Sequence, residues 1–500
     1  MLSGHGGGLG SLMDDLTDVH GSRHLVAESE GGLRVTYRQA AKRVNRWAGG
    51  IAAVTRPGDR VVIHTPNGYE QLLLCLAASR AGTIAVPVND QMRTDEVDHV
   101  VADSQAALTI RNPLDVDGAR PLETAVPSKP TDIAALFYTS GTTGTPKGAE
   151  LSHRSLVDPS RPTVAWLPWL HRDEAVVSLP VAHIMGFAVL LLLAGAGVPT
   201  YFLPHFRPDE VLDAIEDRKA TVFVGVPAMY RMMLEAGAER RDLTSVRIWG
   251  SGADTMPSEL AARFKGMGAT ASLPGLGVVG EAAFVEGYGM VEVGGGVAAK
   301  VSPPLVGLGL GGGLGVPLPS WRFRVIDEAG DEVGTGQVGE LLVRGPGVLS
   351  GYWHSPEASA EVLTDDGWLR TGDLVRRGPL GTVSFVGRAK EVVKHGGYSV
   401  YSLEVQQVIE GHPGVAEAAV LGLPDERFGE LPVAVVRAAE GAVLDPDELV
   451  AWAAEHLADY KAPRQIVVVD DLPRTGTRKV VKDRLLDLFD VSPDGDSATP

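Results

Sequence analysis

Between Tyr138 and His153 the chain reads YTSGTTGTPKGAELSH, glycines and hydroxyl side chains closing on one lysine. Consecutive small residues can point backbone N–H groups into one concavity, and such a nest attracts oxyanions. The hydroxyls of Thr139, Ser140, Thr142 and Thr143 add donors among Gly141 and Gly144, and Lys147 brings a mobile positive charge. The implied chemistry is phosphate binding. It is not that of the Walker loop G-x-x-x-x-G-K-S/T: counted from Gly141, Pro146 stands where the second glycine belongs and Gly148 where the Mg²⁺-binding hydroxyl belongs. Composition alone also allows a Ser/Thr/Gly-rich surface loop.

Such a loop needs elements to hold it. AALFY (134–138) reads as a strand running into it. Upstream, Thr36 with Gln39 forms a capping-box pattern opening a helix through the early fifties. Arg60–His64 reads as a strand, Asn67–Ala81 as an amphipathic helix and Thr83–Val88 as a strand, which is βαβ logic. Strand patterns continue at 175–179, 221–225 and 246–249. After about residue 316 short strands and turns predict a β-rich unit. From about 390, helical stretches (402–411, 446–458) and strands (415–421, 431–437, 465–469) predict a small α+β domain.

Composition narrows the function classes. A chain of 500 residues exceeds one hydrophobic core, and 44% hydrophobic with 22% charged residues is globular. A formal charge of −18 argues against a broad basic surface, so no nucleic-acid partner is expected. The single Cys75 excludes an internal disulfide framework and, in EQLLLCLAASRAG, reads as a core thiol. The N-terminus lacks a basic n-region and an apolar h-region, which with Cys75 suits a cytoplasmic protein. The uncharged run 184–203 is broken by Gly195, Gly197 and Pro199, and reads as a buried helix leading into a strand, not a membrane span. Gly307, Gly309 and Gly312 form a G-x-G-x-x-G, but the prolines of VPLPS forbid the helix a dinucleotide site requires.

Further segments follow the loop: SLPVAHIMGF, TVFVGVPAMY, GSGAD, EGYGMVE, WLRTGDLV, GRAKEVVKHGGYSVYSLEV and LPRTGTRKVVK. Taken in this order, from about Thr36 to Leu486, they resemble the adenylate-forming superfamily of acyl-CoA synthetases, peptide-synthetase adenylation domains and firefly luciferase, most of all bacterial fatty acyl-CoA synthetases. The resemblance implies an α/β fold: a large N-terminal domain (1–388) of α/β subdomains plus a β-rich subdomain, and a small mobile α+β C-terminal domain (389–500). It implies that Thr139–Gly144 and Lys147 hold the ATP phosphates, and that Thr139 and Glu292 hold Mg²⁺. Gly252, Ala253 and Asp254 would sandwich adenine with Gly287, Tyr288 and Gly289, while Asp373 and Arg388 reach the ribose. His183 would border an acyl pocket lined by Gly225, Val226, Pro227, Gly252, Gly289 and Met290. Lys479 would be the catalytic lysine, acting with Glu292 and His183. Lys390 would be the hinge, and His395, Gly396, Gly397 and Tyr398 would meet the pantetheine of CoA. Three residues depart from the family pattern: Val291 where threonine is usual, Arg478 for glycine and Ser402 for proline.

The activity so implied is AMP-forming acyl-CoA ligation on a long- or medium-chain fatty acid, with ATP, Mg²⁺ and CoA. The alternatives are an aromatic acid–CoA ligase, a free-standing enzyme loading an acyl carrier protein, and an impaired nucleotide or acyl binder. A homodimer is also allowed for.

Overall fold

The computed structural model describes residues 7–29, 31–117, 120–139, 146–166, 172–273, 277–304, 313–474 and 480–489. Ser140, Gly141, Thr142, Thr143, Gly144, the three glycines of the G-x-G-x-x-G run, Arg478 and Lys479 lie outside the described residues. Two compact units emerge: Met1–Phe323 with Val343–Leu369, and Arg324–Leu342 with Arg370–Pro500.

The first unit contains two large sheets. The five-stranded one runs in the order Leu108–Ile110, Arg60–Ile63, Ile84–Pro87, Ile133–Thr139, Lys147–Ser152. Its first three pairings are parallel, joined by helices Tyr69–Arg80 and Thr94–Asp103, and the last is an antiparallel hairpin. The capping box at Thr36 forms as the sequence predicts: the Gln39 amide donates to the Thr36 hydroxyl, the Gln39 side chain accepts from the Thr36 amide, and helix Tyr37–Val54 follows. Cys75 is fully buried in helix Tyr69–Arg80, and burial pushes its thiol pKa up, so it packs as a small apolar group.

The nine-stranded sheet runs Val316–Pro317, Gly295–Ser302, Ala283–Met290, Ile248–Gly252, Val222–Gly225, Ala175–Val177, Thr200–Phe202, His24–Glu28, Arg34–Thr36. The strands from Ala283–Met290 to His24–Glu28 pair in parallel, so their C-terminal ends share one edge. The uncharged run becomes helix Ile184–Ala196, stopped by Gly197 at φ +69°, then strand Thr200–Phe202. Among the described residues no helix is long and apolar enough to cross a membrane. Under the central strands Phe223, Tyr230, Trp249, Phe264 and Phe284 pack edge to face or tilted, with centroids 4.8–6.1 Å apart, and the Tyr230 hydroxyl donates to the Gly250 carbonyl at 2.7 Å. Each such ring pair adds about 0.5–1.5 kcal/mol to its area burial, which fixes the strand ends above them.

In the second unit, strands Arg322–Ile326, Val338–Arg344, Leu369–Arg377 and Val383–Arg388 form one sheet. Strands Tyr398–Tyr401, Val392–His395, Gly429–Ala438 and Val415–Asp425 form another, with Gln465–Val469 parallel to Gly429–Ala438. Helices Ser402–Glu410 and Pro446–His456 cover the second sheet through Val405, Ile409 and Leu449.

One packing detail predicts a pH dependence. His153 is 4% exposed, its Nδ1 accepts from the Leu9 amide at 3.1 Å, and burial pushes its pKa down to about 4 despite the opposing charge of Asp132. An unfolded chain titrates this group near 6.5 and so binds more protons between those values. The stabilisation is complete above pH 6.5 and is lost as pH falls toward 4, about 3 kcal/mol over the window at 1.36 kcal/mol per unit. Urea midpoints from pH 7 to 4 should fall less steeply for His153→Asn, which keeps an acceptor for Leu9 but cannot be protonated. Parallel slopes would remove His153 from the acid response.

Candidate active site

Ligands of parallel sheets bind beyond the carboxyl ends of the strands, and toward that edge the nine-stranded sheet places glycines on three neighbouring strands. Gly225 lies opposite Ser251, Ser251 opposite Glu286, and Gly252 opposite Gly287. A Cβ on Gly252 would meet the Met185 methyl at 3.4 Å, which brings the start of helix Ile184–Ala196 over these strand ends. A Cβ on Gly289 would run into the Gly295 carbonyl at 1.7 Å, so only glycine fits. Here the strand bulges between Tyr288 and Gly289, and Met290 pairs with Gly295. Ala253, just past its strand, has φ +66°, a strained conformation for a residue other than glycine. Val226 and Pro227 turn the chain from strand Val222–Gly225 into helix Pro227–Glu235. The pocket and adenine candidates of the first unit therefore gather at one sheet edge. Asp254, in the turn after Ala253, is exposed, and its Oδ1 accepts from the Thr255 amide.

His183 has a structural job. It is the N-cap of helix Ile184–Ala196, and its Nδ1 accepts from the Met185 amide at 3.3 Å.

The phosphate-loop strand and the carboxylate candidate meet through a residue the sequence reading passed over. Thr139 pairs with Lys147 across the hairpin that brackets the loop. Segment 349–353 adds to the same hairpin: Ala149 bridges Tyr352, and the Trp353 amide donates to the Gly148 carbonyl at 2.7 Å. Glu292 sits in the turn Val291–Val293 directly after strand Ala283–Met290, and its carbonyl accepts from the Leu349 amide. The Tyr352 hydroxyl donates to Glu292 Oε1 at 2.9 Å, and Lys147 Nζ lies 5.8 Å from the Tyr352 ring centroid. Among the described residues no cluster of three or more His, Cys, Asp or Glu side chains could cage a metal. A lone carboxylate that shares Tyr352 with Lys147 does fit Mg²⁺, which keeps several waters and takes one or two carboxylates plus substrate phosphates.

In the second unit Asp373 and Arg388 pair across adjacent strands. Asp373 is 1% exposed and its Oδ1 lies 2.8 Å from Arg388 Nε, while its amide donates to the Thr371 hydroxyl. Lys390 stands exposed in the single turn Ala389–Glu391, whose Glu391 carbonyl accepts from the Ser402 hydroxyl at 2.6 Å. At the CoA candidates, Gly396 and Gly397 form the two-residue turn of hairpin 392–401, at φ +58° and +84°. A Cβ on Gly397 would meet nothing within 4 Å, so the glycines answer to the left-handed turn, not to crowding within this unit. His395 is buried with Nδ1 2.7 Å from the Glu430 carbonyl, whereas Tyr398 is 57% exposed and stacks on Tyr460.

The AMP-binding enzyme family profile matches residues 17–353, and its C-terminal domain profile matches 404–479. The chain is 35% identical over 489 residues to a feruloyl-CoA synthase of Amycolatopsis sp., covering 92% of this chain and 95% of that one. It is 34% identical over 498 residues to a fatty acid–acyl-carrier-protein ligase, ScoC, of Streptomyces coeruleorubidus, covering 92% of each. The fold superposes on ATP-bound MatB from Rhodopseudomonas palustris with a TM-score of 0.86 at 30% identity, over 97% of this chain and 99% of that one. On these matches the chain belongs to the adenylate-forming, AMP-binding enzyme family and is an enzyme of the AMP-forming CoA ligase type.

Proposed function

We propose that the enzyme joins a hydrophobic carboxylic acid to CoA through an acyl adenylate, and that a planar aryl-alkenoic acid is preferred to a long saturated chain. The observation that carries the reading is the meeting of Thr139, Lys147, Tyr352 and Glu292 beside the glycine edge formed by Gly225, Gly252 and Gly287. A carboxylate oxygen attacks the α-phosphorus of ATP and the bond to pyrophosphate breaks, which makes AMP the leaving group. Lys147 and the loop hydroxyls answer the β- and γ-phosphate charge, and Lys479 answers the α-phosphate and carboxylate. Mg²⁺, when bound through Glu292 and the Thr139 hydroxyl, supplies further charge neutralisation. A turn about Lys390 then removes Lys479 from the path, the CoA sulfur attacks the carbonyl carbon, and AMP departs. Tyr288, Gly289, Ala253 and Asp254 are assigned to adenine, Asp373 with Arg388 to ribose, and the 395–398 hairpin to pantetheine.

The acid preference rests on two supports. Gly225, Gly252 and Gly287 stand on three adjoining strands, where a planar group could approach the backbone, and the chain is 35% identical to a feruloyl-CoA synthase. The fatty acid reading is favoured by the apolar Met185 over Gly252 and by the likeness to ScoC, which also keeps a carrier-protein acceptor in view. The buried thiol of Cys75 suits a reducing cytoplasm.

The test is acid-dependent AMP release across ferulate, cinnamate and saturated acids of increasing length, with and without CoA. The expected result is CoA-dependent turnover with kcat/KM highest for the arylpropenoates. A maximum among the saturated acids would replace the aryl assignment with the fatty one, and AMP release indifferent to CoA would replace CoA with another acceptor.

A further inference from the structure

Among the described residues Tyr352 alone touches both the lysine of the phosphate hairpin and the carboxylate assigned to the cation. Its own placement is over-determined. The Tyr352 amide donates to the Ser359 hydroxyl at 2.8 Å, Ser359 donates onward to the Ser355 carbonyl, and Tyr352 bridges Ala149 on the Lys147 strand. Segment 349–352 then grips Glu292 twice, at the carbonyl through the Leu349 amide at 2.8 Å and at Oε1 through the phenol at 2.9 Å.

The geometry of that second grip matters. A phenol has one proton to give, and here it is committed to Oε1, while among the described residues no hydrogen bond engages Oε2. The negative face of the same ring holds the Lys147 ammonium 5.8 Å from its centroid. We propose that Tyr352 is a positioning residue: its hydroxyl fixes the Glu292 carboxylate so that Oε2 is presented to the nucleotide's divalent cation, and its ring parks Lys147 for the phosphates. The inference rests on the reading of Glu292 as a metal ligand and deepens it. Groups that orient a ligand in this way cost about 10–100-fold in metal affinity when removed.

The experiment measures ATP binding to the full chain without acid, by titration calorimetry, over a series of Mg²⁺ concentrations. Tyr352→Phe should raise the Mg²⁺ concentration giving half-maximal ATP affinity by about 10-fold or more, with ATP affinity at saturating Mg²⁺ unchanged. Tyr352→Leu, which also removes the ring, should weaken ATP at saturating Mg²⁺ as well. Glu292→Gln should raise the Mg²⁺ requirement, and Tyr352→Phe added to it should shift nothing further. If Glu292→Gln moves the Mg²⁺ dependence while Tyr352→Phe does not, the positioning role is wrong and the ligand reading stands. If neither moves it, both fall. A Tyr352→Phe shift that persists undiminished in the Glu292→Gln background would mean Tyr352 acts by another route, and would overturn the inference.

Discussion

Replacing Lys479 with alanine should slow acid-dependent pyrophosphate release by about 10²–10³-fold, the cost of removing one donor aimed at developing charge. Adenylation brings a carboxylate up to the α-phosphate of ATP, so two anions must approach within bonding distance. A cation placed between them is needed more in the transition state than in the ground state, so its loss should fall on kcat. The second half-reaction makes no such demand. Acyl transfer from a supplied acyl adenylate to CoA should keep close to its normal rate in the same variant, because in the proposed sequence of steps the lysine is away when the sulfur attacks. The substitution should also be local. The described flanks are tied down independently: Arg474 bridges Val480, the Val481 amide donates to the Pro473 carbonyl at 2.8 Å, and the Arg474 guanidinium pairs with the buried Glu417. Pyrophosphate release that survives in Lys479→Ala would transfer the catalytic assignment elsewhere. Loss of both half-reactions would make the lysine a general binding residue.

What the sequence made legible was local. The capping box at Thr36, the strand at Arg60–Ile63 and the broken uncharged run at 184–203 are set by neighbours a few positions apart, and each formed as its pattern predicts. The glycine-rich order of motifs likewise pointed to the family without any tertiary information. What stayed hidden is what pairing over distance decides. The bond from Tyr352 to Glu292 spans 60 positions, and no periodicity announces it. The division into two sheets within the first unit was also invisible, since parallel strands carry no mark of which neighbour they choose. The cap that His183 makes on helix Ile184–Ala196 was also hidden, because it depends on the turn its ring closes back on. Gly397, expected at the pantetheine, stands at a positive φ that the two-residue turn requires, a demand the sequence alone did not reveal.

Arg80→Ala should destabilise the first unit by about 3–5 kcal/mol, the scale for removing one partner of a buried charged network. Arg80 ends helix Tyr69–Arg80 and is fully buried, an arrangement charged side chains adopt only when every donor is answered. Here Nε donates to the Leu122 carbonyl at 2.8 Å, one terminal nitrogen reaches the Gly10 carbonyl at 3.2 Å and Asp14 at 2.6 Å, and the other donates to the Glu123 carbonyl. The guanidinium fork thereby pins two chain segments, near residues 10–14 and 122–123, to a helix between the strands Arg60–Ile63 and Ile84–Pro87. Alanine would leave three carbonyls without this donor and a cavity beside Gly10, whose missing Cβ already lets it lie against the Arg80 backbone. Lysine keeps the charge but not the fork, so Arg80→Lys should recover only part of the loss. Asp14 is partly exposed and can be resolvated, so Asp14→Asn should cost much less than Arg80→Ala. Urea midpoints followed by fluorescence, compared only among variants because a chain of two units need not unfold in one step, give the order: Arg80→Ala lowest, Arg80→Lys between, Asp14→Asn nearest the parent. Equal midpoints for Arg80→Ala and Asp14→Asn would show that the three carbonyls find other donors, and that the ion pair, not the fork, is what the buried arginine contributes.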